Sequence, residues 1–336
     1  MKKTISLVLC LLMIVCLAAG CGKAGDTETG RIEKLSIVTT IFPEYDWVRQ
    51  ILGEKANQAD MTMLLDTGVD LHSYQPSADD ILKIAKCDMF IYVGGESDEW
   101  VDDALTTAEN PNMVVINLLE ALGDAVKDEE IVEGMEAEHE HEHEEEEADD
   151  HEGEEEEPEK DEHVWLSLQN AAALCRAIAE KLGEIDEANK GIYADNADAY
   201  IEKLNTLDSQ YKEAVAAANT KTLLFGDRFP FRYLTDDYGL DYYAAFVGCS
   251  AESEASFETI AFLAGKADEL GLRTIMQIES ADGKIANTIK NTTKAKDQTI
   301  LTLDSMQSVT ADDVQNGTTY LSIMEKNLDI LKQALQ

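Results

Sequence analysis

Histidine is concentrated in one acidic stretch of this 336-residue chain. Five of the six histidines lie between Glu138 and Trp165, where glutamate and histidine first alternate and apolar sequence then resumes after His163. The sixth, His72, stands alone in a separate segment. Because imidazole nitrogen is a preferred ligand of transition metals, this concentration predicts metal handling. The cluster could be the binding site itself or only a collector of ions beside it.

The charge of the chain narrows the classes of ligand. Its formal net charge is −41, and about half of this charge lies between Asp128 and Glu162. Nucleic-acid binding needs clustered lysine and arginine, so it is excluded, and cations are favoured as ligands. A hydrophobic fraction of 44% is enough for packed cores outside the acidic stretch.

The N-terminus is typical of an exported bacterial lipoprotein. Lys2 and Lys3 precede an apolar run over residues 5–18, which predicts a signal peptide at residues 1–20. Small residues before Cys21 are similar to a lipobox, so we expect Cys21 to be lipidated and to anchor the protein outside the cytoplasm at the cell membrane. A plain secretory signal is the alternative. Residues 21–33 then form a flexible tether.

Short β-branched runs alternate with helical patterns along the rest of the chain. This alternation predicts βαβ units and mainly parallel sheets, with ligand groups on loops at the strand ends. We place an N-terminal α/β lobe at 34–166, with an acidic, mobile loop at about 124–162. A helical region at 167–220 follows, and its long second helix could link two lobes. A C-terminal α/β lobe covers 221–336.

Several segments resemble, in order, motifs of one family: the metal-binding lipoproteins that serve as solute receptors of zinc and manganese ABC importers. The first is the opening strand and turn, Ser36 to Pro43, and the second is the loop from Gly68 to Tyr74, with Leu71 where proline is usual. The others are His163-Val-Trp-Leu and the closing helix that starts after Gly317. The resemblance spans nearly all of the mature chain.

This resemblance implies a fold and a set of ligands. The fold is α/β, with two lobes that each carry a mainly parallel sheet flanked by helices and that are joined by one long linker helix. The metal would lie in the cleft between the lobes, with two ligands from each. His72, His163 and Glu279 match ligand positions of the family.

One ligand of the family has no equivalent here. The family commonly has histidine before aspartate after the first strand of the C-terminal lobe, where this chain has Gly226, Asp227 and Arg228. Glycine has no side chain with which to bind a metal. Three replacements stay open: Asp227 or Cys249, a histidine of the acidic loop, or water.

The expected function is a binding one and not enzymatic. The chain would capture Zn²⁺ as its cargo, with Mn²⁺ possible, and deliver it as a monomer to an ABC permease and its ATPase. The acidic loop would collect zinc as an auxiliary through His139, His141, His143 and His151. A metal buffer or adhesin is an alternative. A secreted zinc hydrolase is disfavoured because the chain lacks a nucleophile elbow and a clear general base beside the expected ligands.

Overall fold

Two four-stranded parallel sheets organise the protein. The structure, a computed structural model, describes residues 34–136, 159–250 and 254–336. Residues 35–336 belong to one structural unit. No helix in these described ranges is long and apolar enough to cross a membrane.

The N-terminal sheet has the strand order β2-β1-β3-β4. Its strands are short and apolar, and β3 is buried along its whole length, as expected for a parallel sheet covered on both faces. The bounds are β1 Ser36–Thr39, β2 Asp60–Met63, β3 Met89–Tyr92 and β4 Val114–Asn117. The helices of this half are α1 Phe42–Leu52, α2 Ala78–Lys86, α3 Trp100–Leu105 and α4 Leu118–Leu122.

The C-terminal sheet repeats this plan with the order β6-β5-β7-β8. Its strands are β5 Thr222–Phe229, β6 Asp241–Val247, β7 Thr274–Ile278 and β8 Thr299–Leu303. Its helices are α7 Arg232–Tyr238, α8 Phe257–Leu270, α9 Lys284–Thr292, α10 Ala311–Gln315 and α11 Tyr320–Ala334. All pairings in both sheets are parallel. The carboxyl ends of the strands in each sheet therefore share one edge, where ligands of such folds bind.

Two helices join the sheets. Helix α5, Leu168–Ile185, packs against the 27-residue helix α6, Lys190–Ala216. Apolar side chains recur along α6 and are buried, among them Tyr193, Leu204 and Tyr211. The expected fold class, two parallel α/β sheets connected by one long helix, is confirmed.

The first strand of the second sheet is longer than the sequence pattern predicts. The apolar run predicts a strand that ends at Phe225 and a loop that begins at Gly226, whereas β5 continues to Phe229. The register against β6 shifts between Phe225 and Arg228. Gly226 and Asp227 therefore remain within the strand at an irregularity of the pairing. The prediction failed because Gly226 and Asp227 resemble a turn when the pairing partner is unknown.

The ends of the acidic stretch are ordered. Asp128 and Lys160 pair as an antiparallel bridge, and the backbone N–H of Asp161 donates to the carbonyl of Lys127 at 2.9 Å. The two flanks, 124–136 and 159–162, therefore lie against the folded protein. Only residues 137–158 of the predicted loop fall outside the described residues.

Candidate metal centre

His72 lies at the carboxyl edge of the N-terminal sheet. It belongs to a 3-10 turn, Leu71–Ser73, that follows β2. The turn begins at Asp70, whose Oδ1 accepts the backbone N–H of His72 at 3.0 Å. The imidazole is turned inward, with 7% of the side chain exposed. A short strand followed by a capped turn thus fixes the backbone that carries this histidine.

A partner from the neighbouring strand end holds Nδ1 of His72. This nitrogen lies 2.7 Å from Oγ of Ser97, which follows β3. The backbone N–H of Ser97 donates to Oε1 of Glu162 at 2.9 Å. Oε2 of Glu162 lies 3.5 Å from Nδ1 and has no hydrogen-bond partner. These oxygen acceptors favour the tautomer with a proton on Nδ1, which leaves Nε2 free to bind a metal.

His163 is fixed by its neighbours in the chain. It precedes the 3-10 turn Val164–Leu166, whose three side chains are all buried. Oδ1 of Asp161 accepts the backbone N–H of His163 at 2.9 Å and lies 3.1 Å from its Nδ1. The imidazole is fully buried. As with His72, the carboxylate favours a proton on Nδ1 and an unprotonated Nε2.

The two histidines meet through these free nitrogens. Nε2 of His72 lies 3.2 Å from Nε2 of His163. Two Zn–N bonds of about 2.0–2.1 Å at a tetrahedral angle place their nitrogens about 3.3–3.4 Å apart. The observed spacing therefore matches a pair of nitrogens that bind one ion. Burial, followed by the nearby His163, lowers the pKa of His72 to about 3, so this imidazole is neutral at physiological pH.

A third donor joins the pair from the C-terminal sheet. Within the described residues, Sγ of Cys249 and one nitrogen of each histidine all lie within 4.8 Å of one another. Cys249 follows β6, and its backbone N–H donates to Oε1 of Glu129 at 3.2 Å. Burial, strengthened by Glu129, raises the pKa of the thiol. The group contains two nitrogen donors and one sulfur donor, the kinds of atom that bind Zn²⁺.

Residues 226–228, where the family has a histidine, make other contacts. A Cβ on Gly226 would lie 2.6 Å from Cα of Ala286, so glycine is required at this position. Oδ2 of Asp227 accepts the backbone N–H of Ile278 at 3.1 Å. Arg228 forms an ion pair with Asp70. Of the two residues proposed as substitutes, the structure brings Cys249 and not Asp227 to the histidines.

Glu279 follows β7 and is held by the loop after β8. Its carboxylate accepts the backbone N–H of Ser305 at 2.7 Å and that of Gln307 at 3.2 Å. The hydroxyls of Ser305 and Ser308 donate to it as well. The structure does not bring this carboxylate into the group of His72, His163 and Cys249.

The remaining predicted residues lie outside the described residues: Cys21, His139, His141, His143 and His151. Sequence reasoning also missed three residues that hold the imidazoles, namely Ser97, Asp161 and Glu162. The two acids directly precede His163, and this adjacency was the available signal. Composition places them in the acidic stretch, whereas both are 2% exposed in the folded protein.

The comparisons with known proteins agree with this architecture. The family model described as zinc-uptake complex component A, periplasmic, matches residues 37–334. The chain belongs to this family. It is 33% identical over 300 residues to the zinc-binding lipoprotein AdcA of Streptococcus pneumoniae, a match that covers 89% of this chain and 56% of AdcA. The chain thus spans little more than half the length of that relative.

One further relative and one solved domain are matched over nearly all of their length. The high-affinity zinc uptake system protein ZnuA of Bacillus subtilis is 32% identical over 321 residues, which cover 95% of this chain and 94% of ZnuA. Among solved structures, the Zn(II)-bound ZnuA-like domain of Streptococcus pneumoniae AdcA superposes with a TM-score of 0.68 at 30% identity. That match covers 90% of this chain and 99% of the domain.

Proposed function

We propose that this protein is an extracytoplasmic receptor that captures Zn²⁺ between its two sheets and delivers it to an ABC importer. The observation that carries the proposal is the pair of Nε2 atoms of His72 and His163, 3.2 Å apart in a buried site. Each imidazole has an oxygen partner at Nδ1, so both lone pairs are directed to the same point. The family membership and the zinc-binding relatives support the choice of ion and of function.

We propose that zinc capture also involves Glu279 and the loop after β8. The histidines fill two of the four positions of a tetrahedral zinc ion. The family's third ligand is absent at Gly226, and Glu279 is the fourth ligand that the resemblance implies. To bind an ion, Glu279 would exchange the hydrogen bonds that it accepts from Ser305 and Gln307. Such an exchange would couple zinc capture to movement of the loop after β8.

Delivery requires that the receptor stay near the membrane. We propose that Cys21 carries the lipid anchor and that the monomeric receptor hands its ion to a permease driven by an ATPase. The histidines of the acidic stretch would gather zinc weakly before it reaches the buried pair. The imidazole donors and the zinc-binding relatives favour Zn²⁺ over Mn²⁺ as the cargo.

Zinc titration tests the proposed site directly. We expect the mature chain without lipid, residues 22–336, to bind one Zn²⁺ with submicromolar affinity in competition with a chromophoric chelator. His72→Ala should weaken binding by more than about 100-fold, because altering even an outer-shell partner costs 10–100-fold. Ser73→Ala, the exposed neighbour in the same turn, is the matched control. Affinity weaker than micromolar, or no loss in His72→Ala, contradicts the proposal.

Delivery needs a measurement in cells. Loss of the gene should slow growth of the source bacterium in chelator-treated medium, and added zinc should restore it. A copy that encodes the native chain should complement this defect, whereas His72→Ala should not. Complementation by His72→Ala at equal protein level would show that transport does not depend on this site.

A further inference from the structure

A zinc ion bound by His72 and His163 needs at least one more strong protein ligand for a closed site. The residues that could supply it from the second sheet are limited. Gly226 packs on Ala286, Asp227 holds the backbone of β7, and Arg228 is paired with Asp70. Apart from Glu279 after β7, whose carboxylate is held by the loop after β8, a C-terminal donor must therefore come from another strand end.

We propose that Cys249 is this donor, and that its thiolate makes the site selective for zinc over manganese. The inference rests on the proposed function, because it names a further ligand of the same site. Sγ of Cys249 lies within 4.8 Å of a ring nitrogen of each histidine. A tetrahedral ion with Zn–S of about 2.3 Å and Zn–N of about 2.0–2.1 Å separates sulfur from nitrogen by about 3.6 Å. A shift of the thiol by at most about 1.2 Å is enough to complete the site.

The backbone around Cys249 is built for this approach. A Cβ on the preceding Gly248 would lie 2.9 Å from Cε1 of His163, so glycine allows the strand end to pass directly against the imidazole. Glu129 accepts the backbone N–H of Cys249 at 3.2 Å. Two independent contacts thus place the thiol beside the histidine pair, one with the ring and one with the ordered flank of the acidic stretch.

The surrounding charges are compatible with a bound cation. Arg228 is the cation that the sequence places near the site, and its guanidinium is neutralised by the carboxylate of Asp70. His72 and Cys249 line a cavity of about 220 Å³ together with four acids, Glu96, Glu129, Glu159 and Glu162, and one base, Lys160, which is paired with Asp128. A divalent ion bound by two neutral imidazoles and one thiolate keeps a single positive charge, which these carboxylates stabilise.

A thiolate ligand changes which ions the site prefers. Thiolates are soft donors that suit zinc, whereas manganese prefers carboxylate, carbonyl and water oxygens. When the ion binds, the S–H bond breaks, the Zn–S bond forms and the proton leaves to solvent, with no change in oxidation state. Cys249 is therefore a specificity-determining residue of the site.

Cobalt substitution gives a direct readout of this ligand. The mature chain, kept reduced with a phosphine, should show an intense near-ultraviolet sulfur-to-cobalt charge-transfer band when it is loaded with Co²⁺. Cys249→Ser should abolish the band and weaken zinc binding by more than about 100-fold. Cys249→Asp should lower the ratio of zinc to manganese affinity. Cys87→Ala, which removes a buried thiol away from the site, should retain the band.

The outcomes separate this inference from the proposed function. Submicromolar zinc binding without a charge-transfer band, or a Cys249→Ser variant with native zinc affinity, overturns the thiolate ligand while the receptor function stands. Absence of zinc binding by the native chain overturns both. An unchanged zinc-to-manganese ratio in Cys249→Asp overturns the assignment of specificity. Circular dichroism of each variant without metal shows whether it is folded, and absence of the cobalt band in the native chain overturns the thiolate ligand even when a variant is not folded.

Discussion

At the scale of single residues, the two site histidines are held by different means. His163 is fixed by Asp161, two positions earlier in the chain, which binds both its backbone N–H and its ring. Asp70 holds the backbone of His72 in the same way, but the ring of His72 depends on residues that are distant in sequence, because Ser97 and Glu162 form a chain of contacts to its Nδ1. The geometry of the pair thus combines one local and one long-range arrangement.

The absence of a side chain at Gly248 leaves room for the imidazole of His163. In Gly248→Ala the new methyl group would lie 2.9 Å from both Cε1 of His163 and the carbonyl oxygen of Phe229. Backbone cannot yield easily, so we expect the imidazole to shift and zinc affinity to fall by about 10-fold or more in a chelator competition.

Gly265→Ala is the matched control for this substitution, because nothing lies within 4 Å of the added Cβ in helix α8. It should leave zinc affinity unchanged and stabilise the helix by about 0.5–1 kcal/mol. Native zinc affinity in a folded Gly248→Ala variant would show that the ring has room to move without loss of the site.

The sequence could predict some of these residues and not others. His72 and His163 stand in motifs with local signatures, so a single pass along the chain finds them. Cys249 could be considered only as one option, because its approach to the histidines depends on how β6 packs. Glu162 belongs by composition to the acidic stretch, and its burial arises from contacts with Ser97, 65 positions away.

At the scale of elements, strand ends carry the site, and buried carboxylates organise them. Oδ2 of Asp98 accepts the backbone N–H groups of Val93 and Gly94 at 2.9 and 3.0 Å. These bonds hold the segment after β3 on which Ser97 lies. The alternation of strands and helices was predictable because apolar runs and caps are local, whereas the extension of β5 through Gly226 depends on its partner strand.

Asp98 should make stability depend on pH. Burial raises its pKa to about 6, compared with about 3.9 in an unfolded chain. The folded state therefore holds this proton more tightly, so its contribution to stability is present below about pH 4 and is lost as pH rises to about 6. The loss is about 3 kcal/mol. We expect Asp98→Asn to reduce this fall, measured as the free energy of unfolding in urea at pH 4, 5, 6 and 7.

The pH profile of Asp98→Asn must be compared with that of the native chain, because other buried acids also contribute. Burial raises the pKa of Glu44 and of Glu162, so both make the free energy of unfolding fall with rising pH in the same direction. Asp102→Asn, an exposed acid on helix α3, is the matched control and should keep the native pH profile. Equal pH profiles for Asp98→Asn and the native chain would contradict a raised pKa at Asp98.

At the scale of the whole molecule, side chains tie the two sheets together around the site. Arg228 of β5 pairs with Asp70 beside the first histidine. Nε1 of Trp165, next to the second histidine, donates to the carbonyl of Ser305 at 2.9 Å. These contacts were not predictable from the sequence, because each joins residues separated by more than one hundred positions. They make the position of each histidine depend on both halves of the protein.

The acidic stretch can be replaced without displacing the histidine pair His72 and His163, because its flanks are held by the bridge between Asp128 and Lys160. We expect replacement of 137–158 by a short glycine-serine linker to leave one tight zinc site and to remove additional weak binding. Stoichiometry after equilibrium dialysis at low and high zinc concentrations measures both effects.

A second variant separates histidine chemistry from loop length. It keeps all residues and changes the four histidines of the stretch to glutamine: His139, His141, His143 and His151. If imidazole gathers the extra zinc, this variant should lose most of the weak binding, because the glutamates that remain are harder and weaker zinc ligands. If instead the weak binding persists, carboxylates collect the ions. If the tight site disappears in either variant, the densest histidine cluster is part of the site, and the division between a collecting stretch and a buried pair is wrong.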